Sequence, residues 1–274
     1  MNAAAEGLFA TLFPANCRLC SAPLVNISRL PVCKECLFAI RPITGGVCAI
    51  CGERLTSPYA VLGVEGEPKC GLCRRLDPPY SKAVAYGSYS GGLRDLIHLL
   101  KYEQVRPAAA VLGRMLAEAV GALAPVFREA AVLVTPVPLH SSKLRQRGFN
   151  QSELIAKAAL KLNRAEGKLQ FHDGILERRR ETQSQIGLSR HQRRENVRGA
   201  FAVAKPEQVG GREFLLVDDV LTTGTTVSEC ARVLRHAGAS KVFVATVART
   251  LKAEANFAQI ETDEEAPIAV AAAG

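Results

Sequence analysis

The chain contains no tryptophan and only two methionines, and aromatic residues make up 5% of its 274 positions. That scarcity argues against a surface that reads nucleobases by stacking, since such surfaces lay successive bases on aromatic rings. No run approaches 18 consecutive apolar residues, which argues against a membrane span. The opening MNAAAEGLFATLFPANC carries Glu6 where a secretory leader would carry positive charge, so a cytoplasmic protein without membrane insertion is expected. Neither G-x-x-x-x-G-K-[ST] nor G-x-G-x-x-G occurs, which excludes a Walker-type phosphate cradle and a dinucleotide fingerprint. H-E-x-x-H, G-x-S-x-G and a convincing Cys–His pair are also missing, so the sequence offers no activated nucleophile and no catalytic zinc. With 48% hydrophobic and 22% charged residues, the remainder is ordinary globular composition, ample for a packed core.

Cysteine, in contrast, is plentiful and ordered. Eight of nine cysteines form four C-x-x-C pairs within the first 75 residues: Cys17/Cys20, Cys33/Cys36, Cys48/Cys51 and Cys70/Cys73. Two thiolates separated by two residues turn onto one tetrahedral ion, and a second such pair closes a four-thiolate site, so eight ligands suit two structural zinc ions. The intervening loops, residues 21–32 and 52–69, are 12 and 18 residues long, suited to zinc ribbons. Pairing in sequence order is the simpler expectation, and an interleaved cross-brace would use the same eight residues. Residues 1–80 hold no long amphipathic segment and are rich in turns such as SAP, TGG, TSP and DPP, so metal must supply much of their stability. Eight basic and six acidic residues give this part a charge of +2, which two tetrathiolate zinc sites would turn to about −2.

The formal net charge is +9. Most of it comes from residues 143–200, which hold 14 Lys+Arg against six Asp+Glu. A basic block this concentrated attracts an anion, either the phosphates of a small ligand or those of a nucleic acid.

From residue 81 the pattern becomes α/β. KAVAYGSYS reads as a strand, GGLRDLIHLLKY as a helix, residues 108–123 as a second helix and AAVLVTPVP (130–138) as a buried strand. A helix over FNQSELIAKAALKLN, strand-like stretches at LQFHDGILERR and GAFAV, the apolar run EFLLVDDV, a helix over 225–237 and a last strand KVFVATVAR follow. This alternation predicts a mostly parallel sheet with helices on both faces. The organisation expected is a zinc-ribbon module over 1–80, an α/β domain over 81–251 and a weakly ordered tail over 252–274.

The stretch VDDVLTTGTT (217–226) concentrates the chemistry. In parallel sheets ligands bind outside the carboxyl ends of the strands, which places Asp218 and Asp219 on the functional edge. Behind them Val227, Cys230, Ala231 and Leu234 repeat at i, i+3, i+4, i+7 and predict a helix packed on the sheet, with Cys230 in the core. Thr226 and Glu229 have the spacing of a capping box, and Gly238 supplies a stop. The TTGTT turn therefore meets a helix N-terminus, where backbone N–H groups and the helix dipole attract phosphate. Threonine hydroxyls donate to phosphate oxygens, Gly224 lets backbone approach closely, and two carboxylates accept the two hydroxyls of a ribose.

LLVDDVLTTGTT resembles the signature of type I phosphoribosyltransferases, which bind 5-phosphoribosyl-1-pyrophosphate (PRPP). Together with the doubled cysteine module, the segments LKYEQVRPAAAVLGRMLA, VPLHSSKLRQRGFNQSELIA and RRETQSQIGLSRHQRRENVRGAF make the chain to about residue 250 similar to the competence-associated ComF family. The resemblance implies a type I phosphoribosyltransferase-like parallel sheet with helices on both faces, preceded by a small zinc-ribbon module. It implies that Asp218 and Asp219 are the catalytic acids on the ribose hydroxyls and that Thr222, Thr223, Gly224, Thr225 and Thr226 hold the 5′-phosphate. It places the loop after strand 130–138 at the pyrophosphate, with Lys143, Arg145 and Arg147 as candidates. In the electrostatic mechanism that follows, Arg180, Arg190 and Arg194 are further candidates, on a mobile loop that closes over the site. Mg2+ would accompany PRPP. Two functions stay open: a phosphoribosyltransferase with an unnamed acceptor, or a non-catalytic PRPP- or nucleotide-sensing factor that engages single-stranded DNA, and a competence helicase, during DNA uptake in transformation.

Overall fold

In a computed structural model, the residues described are 15–24, 28–55, 67–162, 168–182, 187 and 189–251. The expected tail over 252–274 lies outside them. A five-stranded, all-parallel sheet forms the centre, built from β1 (Lys82–Ser88), β2 (Val132–Pro136), β3 (Leu169–Phe171), β6 (Glu213–Leu221) and β7 (Lys241–Arg249) in the order β1-β7-β6-β2-β3. Strands β4 (Leu176–Arg178) and β5 (Phe201–Val203) pair antiparallel in a separate two-stranded ribbon. The stretch LQFHDGILERR is thus two strands in two sheets, broken at Gly174, whose φ of +66° is a left-handed turn that favours glycine.

The continuous apolar runs have a simple cause. Val132, Val134, Leu215 and Val217 enter one core while Leu133, Phe214 and Leu216 enter another, so alternate residues of one strand are buried on opposite faces. The first core lies under α3 (Gly91–Lys101), α4 (Ala108–Gly121) and α6 (Gln151–Leu162). Helices α4 and α6 cross so closely at Gly113 that a Cβ there would stand 2.4 Å from the Ala158 Cβ. The second core lies under α8 (Thr225–His236), the β4–β5 ribbon and α7 (Arg190–Val197).

The cysteine-rich residues do not stand apart from this sheet. Helix α1 (Lys34–Ala39), Cys17, Leu30, Val32 and Ile40 join the first core, whereas Cys48, Cys51, Cys70, Cys73 and the short α2 (Gly71–Arg75) lie against the second. The two halves flank the edge strand β1. Ala83 donates its N–H to the Ile50 carbonyl (2.6 Å), and Ile43 donates to the Tyr86 carbonyl (2.7 Å).

Three local expectations change. The segment after β2 is not an open loop: α5 (Ser141–Arg147) forms there, capped by His140 and stopped by Gly148 at φ +77°. Its shortness and the prolines before it hid the helical period. The basic block contains α7, opened by a capping box between Ser189 and Gln192, a signal readable in the sequence as S-x-x-Q. The capping box expected at Thr226 does not form, because Gly224 is the N-cap of α8 and Glu229 accepts instead from Gly199 N–H (2.8 Å) and pairs with Arg232 (2.8 Å).

Candidate functional site

Chain direction places the site. From β2 the chain moves outward to β3, and from β6 it moves the other way to β7, so the β2–β6 boundary is the topological switch where a crevice opens at the carboxyl ends. Strand β2 stops opposite Val217, and β6 runs on beside β7, carrying Asp218 and Asp219 past the end of β2.

Each acid has its own partner. Asp219, buried, is ion-paired with the Lys101 ammonium at the end of α3. Asp218 Oδ1 accepts from Ser152 Oγ (3.1 Å) and from the Asp219 N–H (2.9 Å). Ser152 is positioned by Asn150, whose side-chain carbonyl accepts from Ser152 N–H (3.0 Å) while its amide donates to the Val137 carbonyl (3.0 Å), fixing the start of α6 to the end of β2. Burial, reinforced by the neighbouring Asp219 carboxylate, pushes Asp218 up to about 8. Burial also opposes ionisation of Asp219, but Lys101 holds it below the usual carboxylate range. Lys101 in turn stays above its ordinary value despite burial, because Asp219 and then Asp218 face it. At neutral pH the trio is therefore one shared proton, one carboxylate and one ammonium.

The sign of this arrangement gives a prediction. A carboxyl whose pKa is higher folded than unfolded binds its proton more tightly in the native state, so stability falls as pH rises from about 4, the unfolded value, to about 8. Asp218→Asn removes that loss: its melting temperature should exceed the parent's at pH 8.5 and match it near pH 4. With about 1.4 kcal/mol per pKa unit, the gain should be at least 1 kcal/mol. A melting profile with the same pH slope for both proteins refutes the assignment.

Beyond the acids the chain turns into α8. Gly224 occupies the left-handed region (φ +76°) and makes no side-chain capping bond; a Cβ there would also lie 3.6 Å from the Tyr80 hydroxyl. The Thr223 and Thr225 hydroxyls are 3.1 Å apart, and Arg193 of α7 reaches Thr222 Oγ1 at 3.4 Å. Val227, Cys230, Ala231 and Leu234 are buried as their spacing requires, with Cys230 fully inside the core. This turn adjoins a cleft of about 1060 Å³ whose other walls include Tyr80, Cys51 and Arg194.

The basic residues named from the sequence do not converge equally. Lys143 is half-buried, and Arg178, Arg147 and Lys101 lie within its electrostatic reach. Arg147 donates to Gln151 Oε1 and lies over the Tyr102 ring at 5.8 Å. Arg145 is exposed on the last turn of α5. Arg180 donates to the carbonyls of Asn196 (2.8 Å) and Arg198 (3.0 Å), tying the ribbon to α7. Arg194 lines the cleft, and Arg190 opens α7 with its side chain outside the described residues. Sequence reasoning missed Lys101, Ser152 and Arg178. For Lys101 a signal existed: it continues the Leu93–Ile97 stripe at i+4, and a cation on an apolar helix face implies a buried counter-ion.

The cysteines gather in sequence order. Cys17, Cys20, Cys33 and Cys36 form one group and Cys48, Cys51, Cys70 and Cys73 another, the sulfurs of each lying within 4.8 Å of one another. Pairs at 3.9 Å (Cys17–Cys36), 3.7 Å (Cys20–Cys33) and 3.7 Å (Cys51–Cys70) are far too long for disulfides. They match a four-thiolate tetrahedron, whose sulfurs lie about 3.8 Å apart for metal–sulfur bonds near 2.3 Å. The N–H groups of Leu19 (3.5 Å) and Cys33 (3.3 Å) point at Cys17 Sγ. Burial works against the Cys17 thiolate, yet these backbone donors bring its pKa down to about 6. Each group can hold a metal ion and is consistent with zinc.

Comparison with known proteins gives three results. The phosphoribosyl transferase domain family matches residues 153–264. The DNA utilization protein YhgH of Escherichia coli K12 is 32% identical over 87% of this chain and 98% of its own length, and competence protein F of Haemophilus influenzae is 30% identical over 79% and 96%. Among solved structures, glutamine phosphoribosylpyrophosphate amidotransferase from B. subtilis, complexed with ADP and GMP, shares 28% identity over 51% of this chain and 26% of that one, with a TM-score of 0.31. Kinship across nearly the whole length of these relatives, with two four-cysteine groups preceding a phosphoribosyl transferase domain, shows that the chain belongs to the competence-associated ComF family.

Proposed function

We propose that the carboxyl-edge site binds PRPP, with Asp218 and Asp219 accepting the ribose 2′- and 3′-hydroxyls and the Thr222–Thr226 turn holding the 5′-phosphate. The observation that carries this reading is the union of both acids and the N-terminus of α8 in one strand–turn–helix unit at the switch point. Lys101 keeps Asp219 ionised as an acceptor and Ser152 orients the Asp218 carboxyl, so both acids are in place before the diol arrives. The acid pair supplies hard oxygen donors of the kind Mg2+ prefers, and the ion bound with the diphosphate would offset charge on a departing pyrophosphate. As pyrophosphate leaves the anomeric carbon, the ring becomes positive, and the ionised Asp219 carboxylate would stabilise that charge without forming a covalent bond. In this reading the cysteine groups hold two structural zinc ions.

The names of the relatives support a role in DNA uptake or utilisation. Exposed His191 and Arg194 on α7 and Arg198 just after it, beside Arg193 at the phosphate turn, suit the backbone of a single strand. Calorimetry tests the core of the proposal: Asp218→Asn combined with Asp219→Asn should weaken PRPP binding about 100-fold or more while the fold persists. Unchanged affinity would sink the ribose assignment. Release of pyrophosphate on addition of an acceptor favours a transferase, whereas salt-sensitive DNA binding without turnover favours a DNA-handling factor.

A further inference from the structure

The cleft beside the phosphate turn is built by two helix faces. Thr225, Ser228, Glu229 and Arg232 stand at i, i+3, i+4, i+7 of α8 and line it from one side. His191, Arg194 and Glu195 of α7, with Arg198 just past its end, repeat that spacing on the other. The segment after α2 closes a third side with Leu76, Pro78, Pro79 and Tyr80, and Leu76 is 43% exposed. The cleft is therefore a groove that starts at Thr223–Thr225 and follows α8 for two turns, and Asp218 and Asp219 do not line it.

A groove in this position changes what the turn can hold. A 5′-phosphate seated at the α8 N-terminus, with its ribose on the acids, has the groove beyond it. Roughly 300–1,000 Å³ suffices for a drug-sized ligand, so one phosphate leaves nearly all of the 1060 Å³ open. The lining suits a nucleoside and its linking phosphate. Arg75 and Arg194, carried by two of the walls, join no ion pair among the described residues, which leaves positive charge for a phosphate ester. Leu76, the two prolines and Tyr80 offer an apolar surface to a planar base. Arg249 also lines the groove, with its side chain 7% exposed. Glu53 and the Cys51 carbonyl hold its Nη atoms, while Nε is buried without a hydrogen-bond partner, a fixed donor for an acceptor on the base.

We propose that the groove binds a nucleoside joined through the 5′-phosphate of the ribose phosphate, so that the full ligand has a free ribose 2′,3′-diol at one end and a second nucleoside at the other. This rests on the ribose 5-phosphate reading of the acids and turn. Such chemistry occurs in a nucleoside diphosphate ribose and at the 3′ end of a ribonucleic acid strand. The test titrates the full-length chain by calorimetry, in Mg2+, with ribose 5-phosphate, ADP-ribose and the dinucleoside monophosphate of adenosine as separate probes. The parent should bind at least one extended probe about 10-fold or more tighter than ribose 5-phosphate, and the one that gains more identifies the linkage. Ser228→Phe, which fills the groove from α8, and Leu76→Ser, which strips its apolar wall, should each reduce that gain about 5-fold or more and leave ribose 5-phosphate within about twofold. No gain in the parent, a gain that survives both substitutions, or parallel loss of all probes in both variants overturns the proposal. Failure of ribose 5-phosphate to bind the parent, with an extended probe still held and then lost in Ser228→Phe, overturns the ribose reading instead. Ser228 belongs to neither core and Leu76 is exposed, so the fold should persist in both variants.

Discussion

Removing the metal from the reduced protein with a strong chelator should lower its melting temperature by about 10–20 °C and open the central sheet, not the cysteine loops alone. Four-thiolate zinc sites contribute on the order of 10 kcal/mol to small metal-folded modules. An ion held by either four-cysteine group of this chain would share that contribution with the α/β core. Cys48, Cys51, Cys70 and Cys73 are all buried and pack with Tyr80 and Ala83 in the core that also holds Phe214, Leu216 and Val244. On the other face, Cys17, Leu30, Val32 and Ile40 pack with Leu93, Leu96 and Val247. Loss of ions held there would therefore uncover apolar surface on both sides of the sheet. Metal analysis should first return two ions per chain. Hydrogen exchange should then show faster exchange across 82–88 and 241–249 after chelation, and unaltered melting of metal-free protein would refute the coupling.

Arg249→Met should cost about 3–5 kcal/mol. Arg249 closes β7, and its Nη2 pairs with Glu53 at 2.9 Å, with the two side chains 7% and 8% exposed. Its Nη1 donates to the Cys51 carbonyl at 2.6 Å, and Nη2 stands 3.6 Å from Cys51 Sγ. One guanidinium thus bonds a carboxylate and the backbone of a cysteine loop at once, a fork that lysine cannot reproduce. Removing it takes the paired guanidinium away from the buried Glu53 carboxylate, which dominates the penalty. The double variant Arg249→Met, Glu53→Gln should therefore be more stable than Arg249→Met alone. Denaturant unfolding of the four proteins measures the coupling, and strictly additive losses would show that the buried pair is not a unit.

What the sequence discloses follows from the range of the interaction. Apolar runs such as FLLV and VLV are local and reflect burial on two faces, so the parallel sheet could be read directly, as could the helix face at Val227, Cys230, Ala231 and Leu234. The C-x-x-C spacing brings each pair together, but its register with another pair is a tertiary fact, and both sequential pairing and a cross-brace were compatible with it. Partners far apart were hidden. Lys101 and Asp219 meet only because α3 ends above β6, and Ser152 reaches Asp218 only because Asn150 holds α6 against β2. The run of three arginines shows the same limit. Arg178 remains in strand β4, over Phe201, while Arg180 lies beyond it and reaches α7, a division set by where β4 ends and not by residue type.

The two cysteine groups also solve a problem of association. Strand β1 is one of the two outer strands of an all-parallel sheet, and an outer strand offers unpaired N–H and C=O groups as a template for any other extended chain. Ile50 and Ile43, on the two cysteine-rich segments, occupy such groups of Ala83 and Tyr86 with their own backbone. The segments thus act as a selvedge that keeps this edge of the sheet from adding a further strand. If metal holds these segments in place, its removal would take this protection away, so metal-free chains should self-associate edge to edge at concentrations where metal-loaded protein remains dispersed.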